Sequence, residues 1–339
     1  MATLREVAAR AGVSIKTVSR IVNGEAAVNA RTRDAVAEHL RELNYVPNHA
    51  ARMMRGGVSN VFGLMTDAVA TTHSSVDIVR GVQAELKLHG KTLLIANTDG
   101  EADQEAEFWR LFRAQKVAGV IYASVFHRAQ DVGSPSYARA IVLANCFATH
   151  ADRPSIIPDD EAGGYAQAQY LLKNGHRRIA LLTLIPEIEA TRLRGKGIRR
   201  AFRDAGVPFD EALDRRGVVG AVARETIVGY EVALELLRAK GRPSAIISGN
   251  DQIALQIFSA AAHLGLRVPQ DLSIMGFDDL AVISKTLRPA LTTVALPYFD
   301  IGRLAVRITR QAETEEPGWA PKVLVPCPLV ERESCRALV

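Results

Sequence analysis

The chain has 339 residues, of which 48% are hydrophobic, and this is enough for two or three compact domains with their own cores. It has no run of about 18 apolar residues that could span a membrane. Its amphipathic start lacks the apolar core of a signal peptide, and its three isolated cysteines argue against a disulfide framework or a zinc site. We therefore expect a cytoplasmic protein, with a formal net charge of +5.

The positive charge is concentrated near the N-terminus. Residues 1–57 hold nine Lys and Arg against five Asp and Glu, so they carry a net +4 of the formal +5. A small basic module on a nearly neutral body is typical of DNA binding, because Lys and Arg displace counterions from phosphates. The charge alone is equally compatible with a basic surface that has no partner.

The first 45 residues predict three short helices. Thr3 and Glu6 form a capping-box pattern that begins the first helix, and Gly12 ends it. Ser14 can cap a second helix and Asn29 a third. Two helices joined by a glycine-containing turn predict a helix-turn-helix. The outward face of the second helix is polar and basic, and it consists of Ile15, Lys16, Thr17, Ser19 and Arg20.

Three segments of this module, residues 4–23, 28–33 and 43–48, closely resemble the lactose-repressor (LacI/GalR) family. The resemblance implies a sequence-specific DNA-binding regulator. In such a regulator Ile15, Lys16 and Arg20 would face base edges in the major groove. The side chains implied to hold phosphates are Thr17, Ser19, Asn23, Asn29 and Thr32. Arg20 suits guanine because its guanidinium can pair with O6 and N7 together, whereas Ile15 can offer only apolar contact.

Residues 48–56 predict a very short helix between Pro47 and the glycine pair at 56–57. An isolated helix of this length is marginal in water. The family resemblance implies a hinge helix that orders on DNA and inserts an apolar side chain, usually leucine, into the minor groove. Met54 occupies that position here. We also expect DNA contacts from Tyr45, Asn48 and Ala51.

From residue 60 onward, apolar runs alternate with amphipathic stretches. This βαβ pattern predicts parallel sheets with helices on both faces, and its length implies two lobes. The expected organisation is a helix-turn-helix domain at 1–46, a hinge at 47–58 and an effector-binding domain at 59–339. Its N-lobe is expected at about 59–158 and 296–318, and its C-lobe at about 159–292 and 321–339. The predicted strands are Val61–Met65, Thr92–Ala96, Gly119–Ala123, Ile141–Ala144, Ile179–Thr183, Ala245–Ser248 and Leu272–Met275.

The same region resembles the family's sensor domain, which is similar to periplasmic sugar-binding proteins. The matching stretches include residues 192–197, 248–251 and 276–279. The resemblance implies that an effector binds in the cleft between the lobes. The residues implied to bind it are Asn145, Arg194, Asn250, Asp278 and Tyr298. Arg, Asn and Asp together can satisfy sugar hydroxyls, while an aromatic ring can cover the apolar face of a sugar.

Two departures from the family pattern bear on the ligand. The common aromatic pair of the first loop is replaced by a polar stretch at 71–75, so His73 and Ser75 are expected at the pocket. Arg224 lies about where many members place an aromatic ring. An added cation there would favour a sugar acid or sugar phosphate, unless Arg224 points to solvent.

No complete dinucleotide-binding, P-loop, GxSxG or HExxH motif occurs, so we expect neither an enzyme nor a cofactor or metal site. The expected function is a repressor of a carbohydrate-utilisation operon that binds a pseudo-palindromic operator as a homodimer and responds to a sugar. One alternative is a regulator of the same fold that responds to a nucleobase, a sugar phosphate or acid, or a phosphoprotein corepressor. Two others, a periplasmic binding protein and a nucleotide-dependent sugar oxidoreductase, lack the signal peptide and the phosphate-binding motif that they require.

Overall fold

The computed structural model describes residues 2–22, 28–45, 59–73, 75–132, 140–149, 153–221, 224–312, 314–316 and 318–338. The chain divides into two compact units, Met1–Ser59 and Asn60–Val339. Within the described ranges, no helix combines the length and the apolar character needed to cross a membrane.

The first unit contains three helices, α1 (Leu4–Ala11), α2 (Ile15–Val22) and α3 (Ala30–Glu42). Their ends are capped as the sequence predicts. The Thr3 hydroxyl accepts from the Glu6 amide while the Glu6 carboxylate accepts from the Thr3 amide. Gly12 takes the left-handed conformation, with φ +64°, that lets the chain turn after α1. The buried core of the unit consists of Val7, Ala8, Val18 and Val36. The predicted helix-turn-helix is thereby confirmed.

The second unit contains two parallel-stranded lobes. Its helices are α4 (Val76–Leu88), α5 (Ala102–Ala114), α6 (Asp160–Lys173), α7 (Glu189–Asp204), α8 (Gly229–Arg238), α9 (Asp251–His263), α10 (Ala281–Ser284) and α11 (Tyr298–Gln311). Its strands are β1 (Val61–Thr66), β2 (Thr92–Asn97), β3 (Val120–Ala123), β4 (Ala129–Gln130), β5 (Ile141–Ala144), β6 (Phe147–Ala148), β7 (Ser155–Pro158), β8 (Ile179–Thr183), β9 (Asp214–Arg216), β10 (Val218–Ala221), β11 (Arg224–Ile227), β12 (Ala245–Ser248), β13 (Ser273–Asp278), β14 (Thr292–Ala295), β15 (Lys322–Val325) and β16 (Leu329–Val330). All seven predicted strands are present, with ends that differ by at most a few residues.

Each lobe is built on a six-stranded sheet. In the first lobe the strand order is β15-β7-β5-β3-β1-β2, and every neighbouring pair is parallel. In the second lobe the order is β16-β14-β13-β12-β8-β9, and the β14–β16 pair is antiparallel. Apolar side chains fill both faces of each sheet, which explains why the central strands are continuous hydrophobic runs.

The chain passes between the lobes after β7, after β14 and after β15. The last of these crossings corrects the expected lobe boundary. The sequence places residues from 321 onward in the second lobe, but Lys322–Val325 pairs in register with Ser155–Pro158 of the first sheet. The crossing therefore follows Val325, because β15 completes the edge of the first sheet before β16 joins the second.

Candidate effector site and DNA-binding face

A cavity of about 380 Å³ lies between the two lobes of the second unit. Its polar lining residues follow the carboxyl ends of parallel strands: His127 follows β3, Asn145 follows β5 and Asn250 follows β12, while Asp278 ends β13. In open α/β sheets this edge is where ligands bind. The volume is that of a small-molecule site, because such sites usually occupy about 300–1,000 Å³.

Arg194 of α7 is held rigidly in the lining. Its Nε donates to Asp160 Oδ1 at 2.7 Å, and its Nη1 donates to the carbonyl oxygen of Gly249 at 2.7 Å. The guanidinium also lies 3.5 Å above the ring centroid of Phe277. Asp160 is completely buried. Burial opposes its ionisation, but Arg194 and His127 outweigh burial and hold the pKa of the Asp160 carboxyl below its ordinary value.

Two glycines allow the backbone approach that brings Arg194 to Asp160. A Cβ at Gly197 of α7 would lie 2.0 Å from the carbonyl oxygen of Glu161, and a Cβ at Gly164 of α6 would lie 2.3 Å from the carbonyl oxygen of Arg194. Helices α6 and α7 can therefore touch backbone to backbone only because these positions lack side chains. The Arg-Gly-Lys-Gly sequence at 194–197 supplies both the cation and the space that it needs.

Asn250 and Asp278 line the second-lobe side of the cavity. Asn250 caps α9, since its Oδ1 accepts from the amide of Ile253 at 2.9 Å. Asp278 adopts φ +121°, a region that only glycine enters freely, so the fold forces this side chain into a strained position. Burial raises the pKa of Asp278 well above its ordinary value; Arg194 opposes the rise, and the carboxylates of Asp251 and Asp160 add to it. A protonated Asp278 can both donate and accept a hydrogen bond.

Asn145 and Tyr298 line the first-lobe side. Asn145 is buried, and its Nδ2 donates to the carbonyl oxygens of Ser124 at 2.9 Å and Val125 at 3.0 Å. Burial raises the pKa of Tyr298, and the Asp278 carboxylate adds to the rise, so this phenol stays protonated. Tyr298 thus presents an aromatic ring together with a hydroxyl that can donate.

Three residues expected at the pocket do not line the cavity. His73 is exposed in the turn before α4, and the half-buried Thr72 lines the cavity instead. Ser75 is buried behind that turn, outside the lining. Arg224 is exposed on β11, whereas its neighbour Glu225 lines the cavity, because successive residues of a strand point to opposite faces. The cation expected from Arg224 is therefore absent from the described lining.

Sequence reasoning missed several lining and supporting residues. His127 lines the cavity, and the apolar lining includes Phe126, Ile188 and Leu296. In the sequence, Asp160 stands out only as half of an adjacent acidic pair at 159–160, where no spacing points to Arg194. The pairing depends on the contact between α6 and α7, which a single sequence does not display.

In the first unit, α2 presents the face that is expected to read DNA. The Ile15 side chain is 43% exposed and Lys16 is exposed, while Ser19 and Arg20 are half-buried. The Thr17 hydroxyl lies 2.8 Å from that of Ser14 and its amide donates to the same oxygen at 3.1 Å, so Thr17 helps to fix the start of the helix.

The remaining expected DNA contacts divide into two groups. Asn29 is exposed and caps α3 by accepting from the Thr32 amide at 2.8 Å; Thr32 is half-buried, and Tyr45 packs against the core of this unit. The expected contacts Asn23, Asn48, Ala51 and Met54 lie outside the described residues.

Comparison with known proteins agrees with both units. Residues 3–48 match the family model of bacterial regulatory proteins of the lacI family, and residues 168–335 match a periplasmic binding protein-like domain. The sucrose operon repressor of Escherichia coli is 34% identical, over 98% of this chain and 99% of the relative.

Solved structures give the same result. A LacI-family transcriptional regulator from Rhizobium etli is 41% identical, with a TM-score of 0.75 over 82% of this chain and 99% of its own. The Lac repressor bound to ONPG is 27% identical, with a TM-score of 0.78 over 98% of this chain and 99% of its own. The chain therefore belongs to the lacI family of bacterial regulatory proteins and is a DNA-binding transcriptional regulator.

Proposed function

We propose that this regulator represses a carbohydrate-utilisation operon and that a neutral sugar, bound between the lobes, changes its affinity for operator DNA. The observation that carries the proposal is the chemistry of the cavity lining. Arg194, Asn145, Asn250 and Asp278 supply donors and acceptors from both lobes, and Tyr298 adds an aromatic face. Sugar hydroxyls require such a mixture of donors and acceptors, and the C–H face of a sugar suits an aromatic ring.

The charge of the lining favours a neutral ligand over a sugar phosphate or sugar acid. Arg194 is the one Lys or Arg in the described lining, and its charge is already paired with Asp160 at 2.7 Å. Glu225 and Asp278 add acidic groups. An anionic ligand would therefore lack a free cation. The names of the relatives agree with this choice, since one is a sucrose operon repressor and another was solved with ONPG.

The proposed DNA-binding mode follows from the exposed face of α2. Ile15, Lys16 and Arg20 would read base edges, and a homodimer would place two such helices on the half-sites of a pseudo-palindromic operator. The cytoplasm, where DNA is accessible, is the proposed location, and neither a cofactor nor an enzymatic activity is part of the proposal. An effector can change operator affinity only by binding two lobe arrangements unequally, and a coupling of about 1–3 kcal/mol would be ordinary.

The test begins with a thermal-shift screen of the full-length protein. Sucrose, other neutral mono- and disaccharides, sugar phosphates, sugar acids and purines would each be added in excess. A ligand that binds the native state raises the melting temperature. We expect a neutral sugar to do so. A shift produced only by purines or by phosphorylated sugars would contradict the neutral-sugar proposal and favour the alternative regulator.

The second step links that ligand to DNA. An operator selected from random duplexes by the purified protein would be titrated by fluorescence anisotropy, with and without the sugar. Asp278→Ala should abolish the response to sugar while operator affinity in its absence stays unchanged. Asp204→Ala, at an exposed residue near the end of α7, is the matched control and should respond like the wild type. An Asp278→Ala protein that still responds fully would remove this residue from the site.

A further inference from the structure

His127 is a buried histidine with one ring nitrogen engaged and the other unpartnered. It follows β3 in the first lobe, lines the cavity and is 4% exposed. Its Nδ1 lies 2.6 Å from Oδ2 of Asp160, at the start of α6 in the second lobe. Its Nε2 is buried and has no hydrogen-bond partner among the described residues. Buried polar atoms nearly always have a partner, so the free nitrogen requires an explanation.

The segment that carries His127 is held in place from both lobes. Asp67, after β1, accepts from the Ser124 hydroxyl at 2.7 Å and from the Val125 amide at 3.0 Å. On the other side, the carbonyl oxygen of His127 accepts from the amide of Glu189, the first residue of α7, at 3.0 Å. The imidazole is therefore fixed in position and is not a mobile side chain that fills space.

The contact with Asp160 determines which nitrogen carries the proton. Asp160 also accepts from Arg194 at 2.7 Å, an arrangement that suits an ionised carboxylate, which only accepts. His127 must then donate through Nδ1, and in the neutral ring Nε2 is left as a bare acceptor that faces the cavity. We propose that His127 Nε2 accepts a hydrogen bond from a hydroxyl of the bound effector and so helps to determine ligand specificity. This inference rests on the proposed sugar-binding function and names one of its contacts.

The position of His127 gives the contact a second consequence. One carboxylate, that of Asp160, holds both His127 of the first lobe and Arg194 of the second. A hydroxylated ligand that contacts both side chains would therefore be bound by a pair already oriented by a single group. A ligand that lacks the matching hydroxyl would leave a buried acceptor unpaired, which is the basis of strong discrimination.

Two substitutions separate the cavity contact from the contact with Asp160. In His127→Asn, the amide nitrogen can take the place of Nδ1 and donate to Asp160, but the acceptor at Nε2 is lost. In His127→Gln, the amide oxygen can take the place of Nε2, but the donor to Asp160 is lost. Affinity for the sugar that raises the wild-type melting temperature would be measured by calorimetry. We expect His127→Asn to bind about tenfold more weakly than the wild type, and His127→Gln to recover part of that loss.

Monodeoxy derivatives of the same sugar identify the hydroxyl involved. One derivative should bind the wild type about tenfold more weakly than the parent sugar, yet bind His127→Asn as well as the parent does, because the partner is already missing. A structural role would lower stability without producing this pairwise effect. Unchanged affinity in His127→Asn, or equal losses for every derivative in both proteins, would overturn the proposal while leaving sugar binding itself intact.

A second measurement needs no ligand. Long-range ¹H–¹⁵N spectra of the ¹⁵N-histidine-labelled protein at pH 8 distinguish the two neutral tautomers, and His127→Asn identifies the resonance. We expect the proton on Nδ1. A proton on Nε2 would overturn the inferred acceptor, whether or not a sugar has been found. If no sugar shifts the wild-type melting temperature, the sugar proposal fails, and the tautomer still decides whether His127 presents an acceptor to the cavity.

Discussion

Gly197 offers a test of the backbone contact that positions Arg194 against Asp160. In Gly197→Ala, the new Cβ would lie 2.0 Å from the carbonyl oxygen of Glu161 and 2.7 Å from the amide nitrogen of Tyr165. Both are backbone atoms of α6, so neither can swing aside. Ordinary contact begins at 3.4 Å, so the helices must separate by about 1.4 Å at this point.

The size of the effect follows from three contributions. Alanine in place of glycine favours a helix by about 1 kcal/mol. Overpacking costs about 1–3 kcal/mol. The separation would also stretch the 2.7 Å bond between Arg194 and Asp160 beyond hydrogen-bonding range, and breaking a buried ion pair costs about 3–5 kcal/mol. Because some relaxation will occur, we expect the free energy of unfolding to fall by about 2–5 kcal/mol and the response to effector to be lost.

Gly195→Ala is the matched control, two residues away in the same helix. Its Cβ would meet only the end of the flexible Arg199 side chain, at 3.2 Å. We expect this variant to gain about 0.5–1 kcal/mol from helix propensity and to keep its response. Urea denaturation measures stability, and thermal shift with the effector measures binding. If the two alanines change stability in the same direction, or if Gly197→Ala binds effector normally, close helix contact is not what positions Arg194.

Three further predictions concern DNA binding and pH. Arg20→Ala should lower operator affinity by about 1–3 kcal/mol and relax base preference at one position, as measured by anisotropy on single-base operator variants; uniform weakening on every sequence would assign Arg20 to phosphate instead. Met54→Ala should weaken specific binding and reduce DNA bending while non-specific binding stays constant, and unaltered mobility of circularly permuted operators would exclude a wedge. Hydrogen bonds from Arg307 and Arg303 lower the pKa of Glu85 to about 2, so Glu85 contributes stability that is present above pH 4.5 and lost as pH falls towards 2. Urea denaturation across that range should show Glu85→Gln less stable than the wild type at pH 7 and the difference shrinking with acid; a constant difference would contradict this assignment.

The sequence contains enough information for the elements whose residues are either fully buried or strongly patterned. Ile141–Ala144 and Ala245–Ser248 are predictable to the residue because each is a short apolar run that is buried on both faces of a parallel sheet. The capping box at Thr3 is predictable because it depends on residues only three positions apart. Local chemistry of this kind needs no knowledge of the rest of the fold.

Edge elements and lobe membership are harder to predict. Asp214–Arg216 and Arg224–Ile227 form strands from largely polar, partly exposed residues, so they lack an apolar run. Lys322–Val325 alternates in burial like an ordinary edge strand, but its sheet is decided by pairing with β7, more than 160 residues earlier. Such pairings are tertiary contacts, and neither propensity nor spacing encodes them.

The candidate site divides along the same line. Arg194, Asn250 and Asp278 are expected from sequence motifs, and all three line the cavity. Arg224 is placed only by rough position in the chain, and a shift of one residue along a strand turns it to solvent. His127 belongs to no motif, because its environment comes from Asp160 in the other lobe. Sequence reasoning therefore identifies motif residues and misses the side chains that connect the lobes.

The connection through Asp160 bears on how a small ligand could control DNA binding. Asp160 lies just after β7, where the chain first crosses between lobes, and its carboxylate binds one side chain from each lobe. A ligand need only favour one lobe arrangement by about 1–3 kcal/mol to produce ordinary coupling. One or two hydrogen bonds formed in that arrangement alone would supply this difference, because each contributes about 0.5–1.5 kcal/mol. Regulation at this site therefore requires only a small change in contacts at the crossing, with no refolding of either lobe.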